Sequence, residues 1–348
     1  MATVFFMKFN RDQGALIADE MTWHLGFKYG YRPSRYGDSI MNLLDGEKET
    51  NPGFAAVYAG VGFPSFHFEV ARKAKKVLTE KPDCLGDLNK TGEVVESVYQ
   101  DVHARLINDR LKFNFGFDRD ELNRRKFRYD GKEVDIVQDS VISEANKILK
   151  YGVKEDIYHR IFDNDGLIMG YDQENGIRAY HLCNSGRGLE FAYPFDALGS
   201  GKELGTRLFA DTFYRMQLEE RRAGFRFTDG LFLLLNCFAD AYDFNMKTGG
   251  YVQVFMIDAK KEVLQSITAE KHDHGAFLAL EVVRAYRWGF LDKDCAQALA
   301  MSLLIGDASW EEVETRMFGN ASEPDLLRKY LMGYKPVKSP DSPLSVCR

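Results

Sequence analysis

A threonine stands at position 3, ahead of the apolar run Val4-Phe5-Phe6-Met7. An aspartate closes the next apolar run, Gly14-Ala15-Leu16-Ile17-Ala18-Asp19. A terminal threonine can be a complete catalyst. Its hydroxyl is the nucleophile, and its own α-amino group, whose ordinary pKa lies at about 7.7–8.0, takes the proton. Removal of Met1 would expose Ala2, so this chemistry requires a cut between Ala2 and Thr3.

Other groups capable of chemistry carry weaker patterns. His272-Asp273-His274 places two imidazoles as metal sites often do. It falls at an expected helix start with no third ligand in view, so a polar cap is the expectation and no metal is assigned. His24, His67, His103, His159 and His181 are isolated, and His67 reads as a surface or partly buried packing residue. Cys84, Cys183, Cys237, Cys295 and Cys347 are scattered, odd in number and without CxxC spacing. They read as reduced thiols of a cytoplasmic protein. No cofactor motif is present, and none is expected.

The elements that must position Thr3 follow from hydrophobic periodicity. Thr3–Phe9 and Gly14–Asp19 read as strands paired about a polar turn. A long Gly-, Tyr- and Arg-rich loop or hairpin covers Gly26 to Asp38, and Ser39–Leu44 and Phe54–Gly60 read as strands. Gly62-Phe63-Pro64 leads into a helix with Phe66, Val70, Ala74 and Leu78 on one face. Val94, Val98, Val102 and Leu106 predict a second helix. The alternation of Phe113, Phe115 and Phe117 predicts a half-buried strand, and Asp118 to Arg128 a solvated loop. Tyr129-Asp130-Gly131-Lys132 predicts a hairpin turn. A helix over about 140–150 comes next.

Strands return at Leu167–Tyr171, Ile177–Leu182 and Leu189–Tyr193. Gly199-Ser200-Gly201 precedes a helix, Thr228-Asp229 caps another, and Tyr251–Ile257 reads as a strand. Beyond about Glu262 the pattern is helical. Ser309-Trp310-Glu311-Glu312 has capping-box spacing, and Pro336, Pro340 and Pro343 mark a loose tail.

The chain of 348 residues is 45% hydrophobic and 28% charged, which bounds it to one large or two ordinary globular domains. A net charge of -6 argues against general nucleic-acid or anionic-membrane partners. No apolar stretch reaches the length of a membrane span, and Asn10, Arg11 and Asp12 interrupt the first apolar run, so no signal peptide is expected.

Taken in order, these motifs resemble the proteasome family of N-terminal-nucleophile (Ntn) hydrolases. Asp19 follows Thr3 by the spacing of that family's first aspartate. Tyr58-Ala59-Gly60-Val61-Gly62 resembles its Ala-Gly oxyanion loop, Leu198-Gly199-Ser200-Gly201 its Gly-Ser-Gly motif, and Asp243 to Gly250 its acidic turn before Gly-Gly. The resemblance covers roughly residues 2–80 and 165–258. It implies an α+β fold, a four-layer αββα sandwich with added helical regions. The core would span 1–262, interrupted by an insertion at about 82–160. A helical extension over 263–335 and a tail over 336–348 would follow.

In that reading Thr3 is the nucleophile, Gly60 supplies the oxyanion-hole N–H, and Asp19 orients a basic residue. Ser200 and Asp243 hold the amino group, with Asn245 competing for the role of Asp243. The family's lysine is absent: counting lands on Arg35, strand alignment on Ser39, and Lys28 is a third candidate. The resemblance implies a threonine peptidase acting on peptide or protein substrates. It would work as a homo-oligomeric ring, with an ATPase or other subunit as partner. The alternative is a non-catalytic structural or binding subunit of the same fold.

Overall fold

The computed structural model describes residues 3–19, 21–26, 30–36, 40–44, 53–151, 154–156, 159–160, 164–183, 186–190, 194–245, 248–249, 252–260, 269–306 and 308–331. In chain order the strands are β1 (Thr3–Lys8), β2 (Gln13–Asp19), β3 (Met21–Gly26), β4 (Gly30–Tyr36), β5 (Ile40–Asn42), β6 (Phe54–Val61), β7 (Lys126–Tyr129), β8 (Lys132–Asp135), β9 (Lys154–Asp156), β10 (His159–Arg160), β11 (Asp165–Asp172), β12 (Gly176–Cys183), β13 (Gly186–Glu190), β14 (Phe195–Gly199) and β15 (Val252–Asp258). The helices are α1 (Pro64–Glu80), α2 (Leu88–Phe115), α3 (Arg119–Arg124), α4 (Asp139–Tyr151), α5 (Lys202–Arg215), α6 (Leu218–Ala223), α7 (Phe227–Phe244), α8 (Ala269–Arg287), α9 (Lys293–Leu304), α10 (Trp310–Asn320) and α11 (Pro324–Tyr330). The fold is mixed α+β, and its paired strands run antiparallel.

Two sheets dominate, ordered β14-β1-β2-β15 and β13-β12-β11-β6-β5. Their strands are apolar on both faces because both faces are covered, so they read as continuous hydrophobic runs rather than alternations. Val4, Phe6, Leu16, Ala18 and Phe255 of the first sheet meet Val57, Ala59, Leu167 and Met169 of the second. The opposite face of the first sheet, with Phe5, Met7, Ile17 and Val254, packs on Leu234 and Phe238 of α7 and Leu280 and Val283 of α8. The outer face of the second sheet, with Ala56, Tyr58 and Ile168, packs on Phe66 and Val70 of α1 and Val95 and Val102 of α2. A small separate cluster lies beyond the sheets, where Ile107 and Leu111 of α2 meet Phe117, Leu122, Ala145 and Ile148.

Several sequence expectations change here. The phenylalanine alternation is no strand: α2 runs on through Phe115, and Gly116, at φ 82°, ends it in the left-handed conformation that favours glycine. Leu111 and Phe115, four residues apart, face the small cluster, so a period of two coincided with a helical face. The expected loop at Asp118–Arg128 contains α3, fixed by a reciprocal capping box between Asp118 and Glu121. Asp229 does not cap α7, which begins at Phe227; its carboxylate accepts from Gln297 Nε2. β14 was not anticipated, being five residues long and interrupted by Asp196. The hairpin turn at Asp130-Gly131 has the two positive φ angles that such a turn requires.

β1 is held by tight packing of α5. An added Cβ at Gly205 would lie 2.1 Å from the Phe5 ring, which itself meets Phe195 and Phe238 edge-on. Gly205→Ala should therefore lower stability by about 1–3 kcal/mol, overpacking outweighing the roughly 1 kcal/mol helix preference for alanine. Urea denaturation should show a lower midpoint at unchanged slope.

Candidate functional site

The β1–β2 register pairs Val4 with Ala18, and its continuation sets Asp19 across from Thr3. The sixteen-residue spacing thus closes through the hairpin. The Thr3 backbone N–H donates to Asp19 Oδ1 at 2.7 Å, and the Gly249 N–H donates to Asp19 Oδ2 at 3.0 Å. The two bonds tie the ends of β1 and β2 to the turn entering β15. Asp19 is fully buried, and desolvation raises its carboxyl pKa to about 7 despite the two N–H donors.

On the other side of β1, Thr3 pairs with Gly199 of β14. Gly199 has φ 87°, which turns the chain into Ser200 and Gly201 at the start of α5. The Gly201 N–H donates to Thr3 Oγ1 at 3.1 Å, and Ser200 Oγ lies 3.4 Å from the same oxygen. Gly201 has to be glycine, because a Cβ would come within 2.8 Å of Thr3 Cγ2 and of Ala241. Thr248 Oγ1 lies 2.7 Å from Thr3 Oγ1, and Asn245 Nδ2 donates to that Thr248 oxygen at 2.9 Å. A buried hydroxyl held by an amide N–H and two neighbouring hydroxyls has a fixed orientation, as a nucleophile needs.

The structure therefore gathers Thr3, Asp19 and Ser200 and adds Thr248, Asn245 and Gly249. Thr248 and Gly249 were not among the sequence candidates. Their signal is the Asn245-x-x-Thr248-Gly249 spacing, a turn closed by Thr248 N–H donating to Asn245 O. Asp243, by contrast, is engaged elsewhere: its Oδ1 accepts from Arg284 Nε at 2.6 Å and its Oδ2 from Trp288 Nε1 at 3.1 Å. Its carboxylate therefore faces α8, while Asp19 takes the Thr3 N–H. Arg35 lies in β4 opposite Thr22, and its side chain falls outside the described residues. Ser39, Lys28, Ala2 and the side chains of His272-Asp273-His274 also fall outside them. Among the described residues no cluster of three His, Cys, Asp or Glu side chains could hold a metal ion. Nor is any helix there long and apolar enough to cross a membrane.

Gly60 lies in a strand, as its apolar run predicted, and not in the loop that the resemblance implied: it is next to last in β6 and opposite Gly166 of β11. A Cβ there would lie 2.1 Å from His67 Nδ1. His67 is accordingly no surface residue; it is 3% exposed. Its Nε2 lies 2.9 Å from Val61 O and its Nδ1 2.6 Å from Tyr58 Oη. A carbonyl only accepts, so Nε2 carries the proton, Nδ1 accepts, and the Tyr58 hydroxyl donates. The ring is neutral, with its pKa lowered to about 4, chiefly by burial.

No known family profile matches the chain, and no curated protein matches it. Solved structures do. The helical assembly of the Anbu complex from Pseudomonas aeruginosa aligns at TM-score 0.51 and 12% identity, covering 83% of this chain and 93% of that one. Anbu, the ancestral beta-subunit, from Yersinia bercovieri aligns at TM-score 0.48 and 13% identity over 83% and 94% of the two chains. The Pseudomonas aeruginosa match corrects the sequence-level resemblance: the fold is shared with Anbu, a proteasome-like family distinct from the proteasome family itself.

Asp19 and His67 give opposite pH dependences. The folded pKa of His67 lies below the unfolded 6.5, so below pH 6.5 the unfolded chain binds the extra proton and stability falls on acidification. The loss is about 2 kcal/mol between pH 6.5 and 5. The folded pKa of Asp19 lies above the unfolded 3.8, so its contribution is complete at low pH and is lost as pH rises through about 7. Urea titrations should find His67→Gln more stable at pH 5 than at pH 6.5, and Asp19→Asn less stable.

Proposed function

We propose that this chain is a proteasome-related threonine hydrolase in which Thr3 is the nucleophile of an amide-cleaving site, most simply a peptidase. The observation that carries the reading is the Thr3 hydroxyl, fixed between the Gly201 N–H, Thr248 Oγ1 and Ser200 Oγ, with its backbone nitrogen against Asp19. Cleavage of the peptide bond before Thr3 frees its α-amino group. The amine then takes the hydroxyl proton as Oγ1 attacks a substrate carbonyl. Asp19, already bonded to that nitrogen, holds the amine in place. The Gly60 N–H is assigned to the developing oxyanion.

Arg35 is the proposed substitute for the family's lysine. It supplies positive charge but no proton, because guanidinium does not deprotonate in proteins. Asp19 takes the amine-holding role expected of Asp243, while Thr248, backed by Asn245, holds the hydroxyl. No cofactor enters this reading.

The stacking of α7 and α8 on the first sheet, that sheet on the second, and the second on α1 and α2 supports a four-layer αββα sandwich. Residues 82–160 form the insertion, 263–335 the helical extension and 336–348 the tail. Assembly into an oligomer, a ring or a helical stack, is proposed from the assembly named for the Pseudomonas aeruginosa protein. Peptides and proteins are the proposed substrates, and an ATPase or other subunit the proposed partner. The complete burial of Thr3 favours a second reading, a non-catalytic structural or binding subunit.

A hydroxyl-acylating β-lactone separates the two. Mass spectrometry should find the wild-type chain acylated at Thr3 and Thr3→Ala unreacted. Thr248→Val, which removes the hydroxyl's bonds to Thr3 and Asn245 at nearly unchanged shape, should react about tenfold more slowly. A wild-type chain inert to the reagent supports the non-catalytic reading.

A further inference from the structure

Three buried carboxylates, Asp240, Asp243 and Glu281, lie where α7 meets α8, and the Thr3 cluster uses none of them. Two arginines of α8 meet them. Arg284 donates from Nε to Asp243 and from Nη1 to Glu281 Oε1 at 2.7 Å, and its guanidinium stacks over the Tyr242 ring. Arg287 pairs with Asp240 and donates to Asn236 Oδ1 at 2.8 Å. Trp288 occupies the second oxygen of Asp243. The side chain of Asp243 is 4% exposed and that of Arg284 16%, so this pair is largely removed from solvent screening.

The location is what matters. Asp243 is in the last turn of α7, and Asn245 caps that helix through its N–H to Ala241 O at 2.9 Å. Asn245, Thr248 and Gly249 make the contacts that hold Thr3 and Asp19. α8 thus grips a rigid helix end two residues before the turn that fixes the nucleophile.

We propose that Arg284 is a positioning residue: by holding Asp243 it sets the α7–β15 turn, making the C-terminal helices part of the Thr3 site. Its meaning for catalysis rests on Thr3 being the nucleophile; the mechanical coupling does not. Removing Arg284 leaves two buried carboxylates without their cation, and the helix end shifts to reach water.

The test is amide hydrogen exchange at Gly249, whose N–H is bonded to Asp19, read by fragmentation mass spectrometry in the full chain. Arg284→Gln should speed exchange there roughly threefold to thirtyfold, the range of a coupled network. Arg284→Lys, which keeps the charge but not the fork, should fall between. Trp288→Phe, which removes only one donor and is the milder variant, should give about threefold. Val313→Ala removes buried α10 contacts in the same core and should lower stability without moving Gly249. Lactone labelling of Thr3 should slow in Arg284→Gln by a factor similar to the exchange change. Unchanged Gly249 exchange in folded Arg284→Gln and Trp288→Phe overturns the proposal, as does equal acceleration in Val313→Ala. A chain that never labels at Thr3 sinks the hydrolase reading instead, and leaves the exchange result standing.

Discussion

A single buried carboxylate organises one end of this molecule. Asp19 accepts the N–H of Thr3 on β1 and the N–H of Gly249 before β15, while its own strand runs between the two. Burying a carboxyl costs several kcal/mol unless its oxygens are satisfied. The strand ends are therefore drawn to it, and the Thr3 hydroxyl is delivered to the place where α5 begins and α7 ends. Gly201 and Gly205 are required there because the chain and helix come into tight contact with β1, and Gly199 because its φ of 87° favours glycine.

The local part of this design was legible in the sequence. A strand, a short turn and a second strand place Asp19 opposite Thr3 by register alone, and Gly199-Ser200-Gly201 announces a helix start beside them. What could not be read was the partnership of side chains far apart in the chain. Asp243 and Asn245 both lie near the right spacing from Gly249. The choice between them depends on Arg284, forty-one positions beyond Asp243 and on another helix. His67 looked peripheral because its helix face is otherwise mixed, yet Tyr58 from a different element accounts for its burial. The strand expected from Phe113, Phe115 and Phe117 failed because Phe115 belongs both to that two-residue alternation and to a helical face with Leu111, four residues back.

The same physics explains how the fold departs from the family pattern that its motifs resemble. Asp243, an acidic group expected beside Thr3, serves instead as an anchor for the C-terminal helices, and neutral Thr248, bonded to Asn245, lies against the Thr3 hydroxyl. Among the described residues, the groups that meet Thr3 are Asp19, backbone N–H groups and hydroxyls. Such a site tolerates the uncut chain, since the Thr3 amide and the amine that would replace it both donate to Asp19.

The proposed chemistry turns on the peptide bond before Thr3. Intact mass with N-terminal sequencing of the purified protein reads it directly. A chain that begins at Thr3, with the α-amino group free, is the expected result. A chain that retains Ala2 would contradict the hydrolase reading, because the amine on which its chemistry depends would still be an amide.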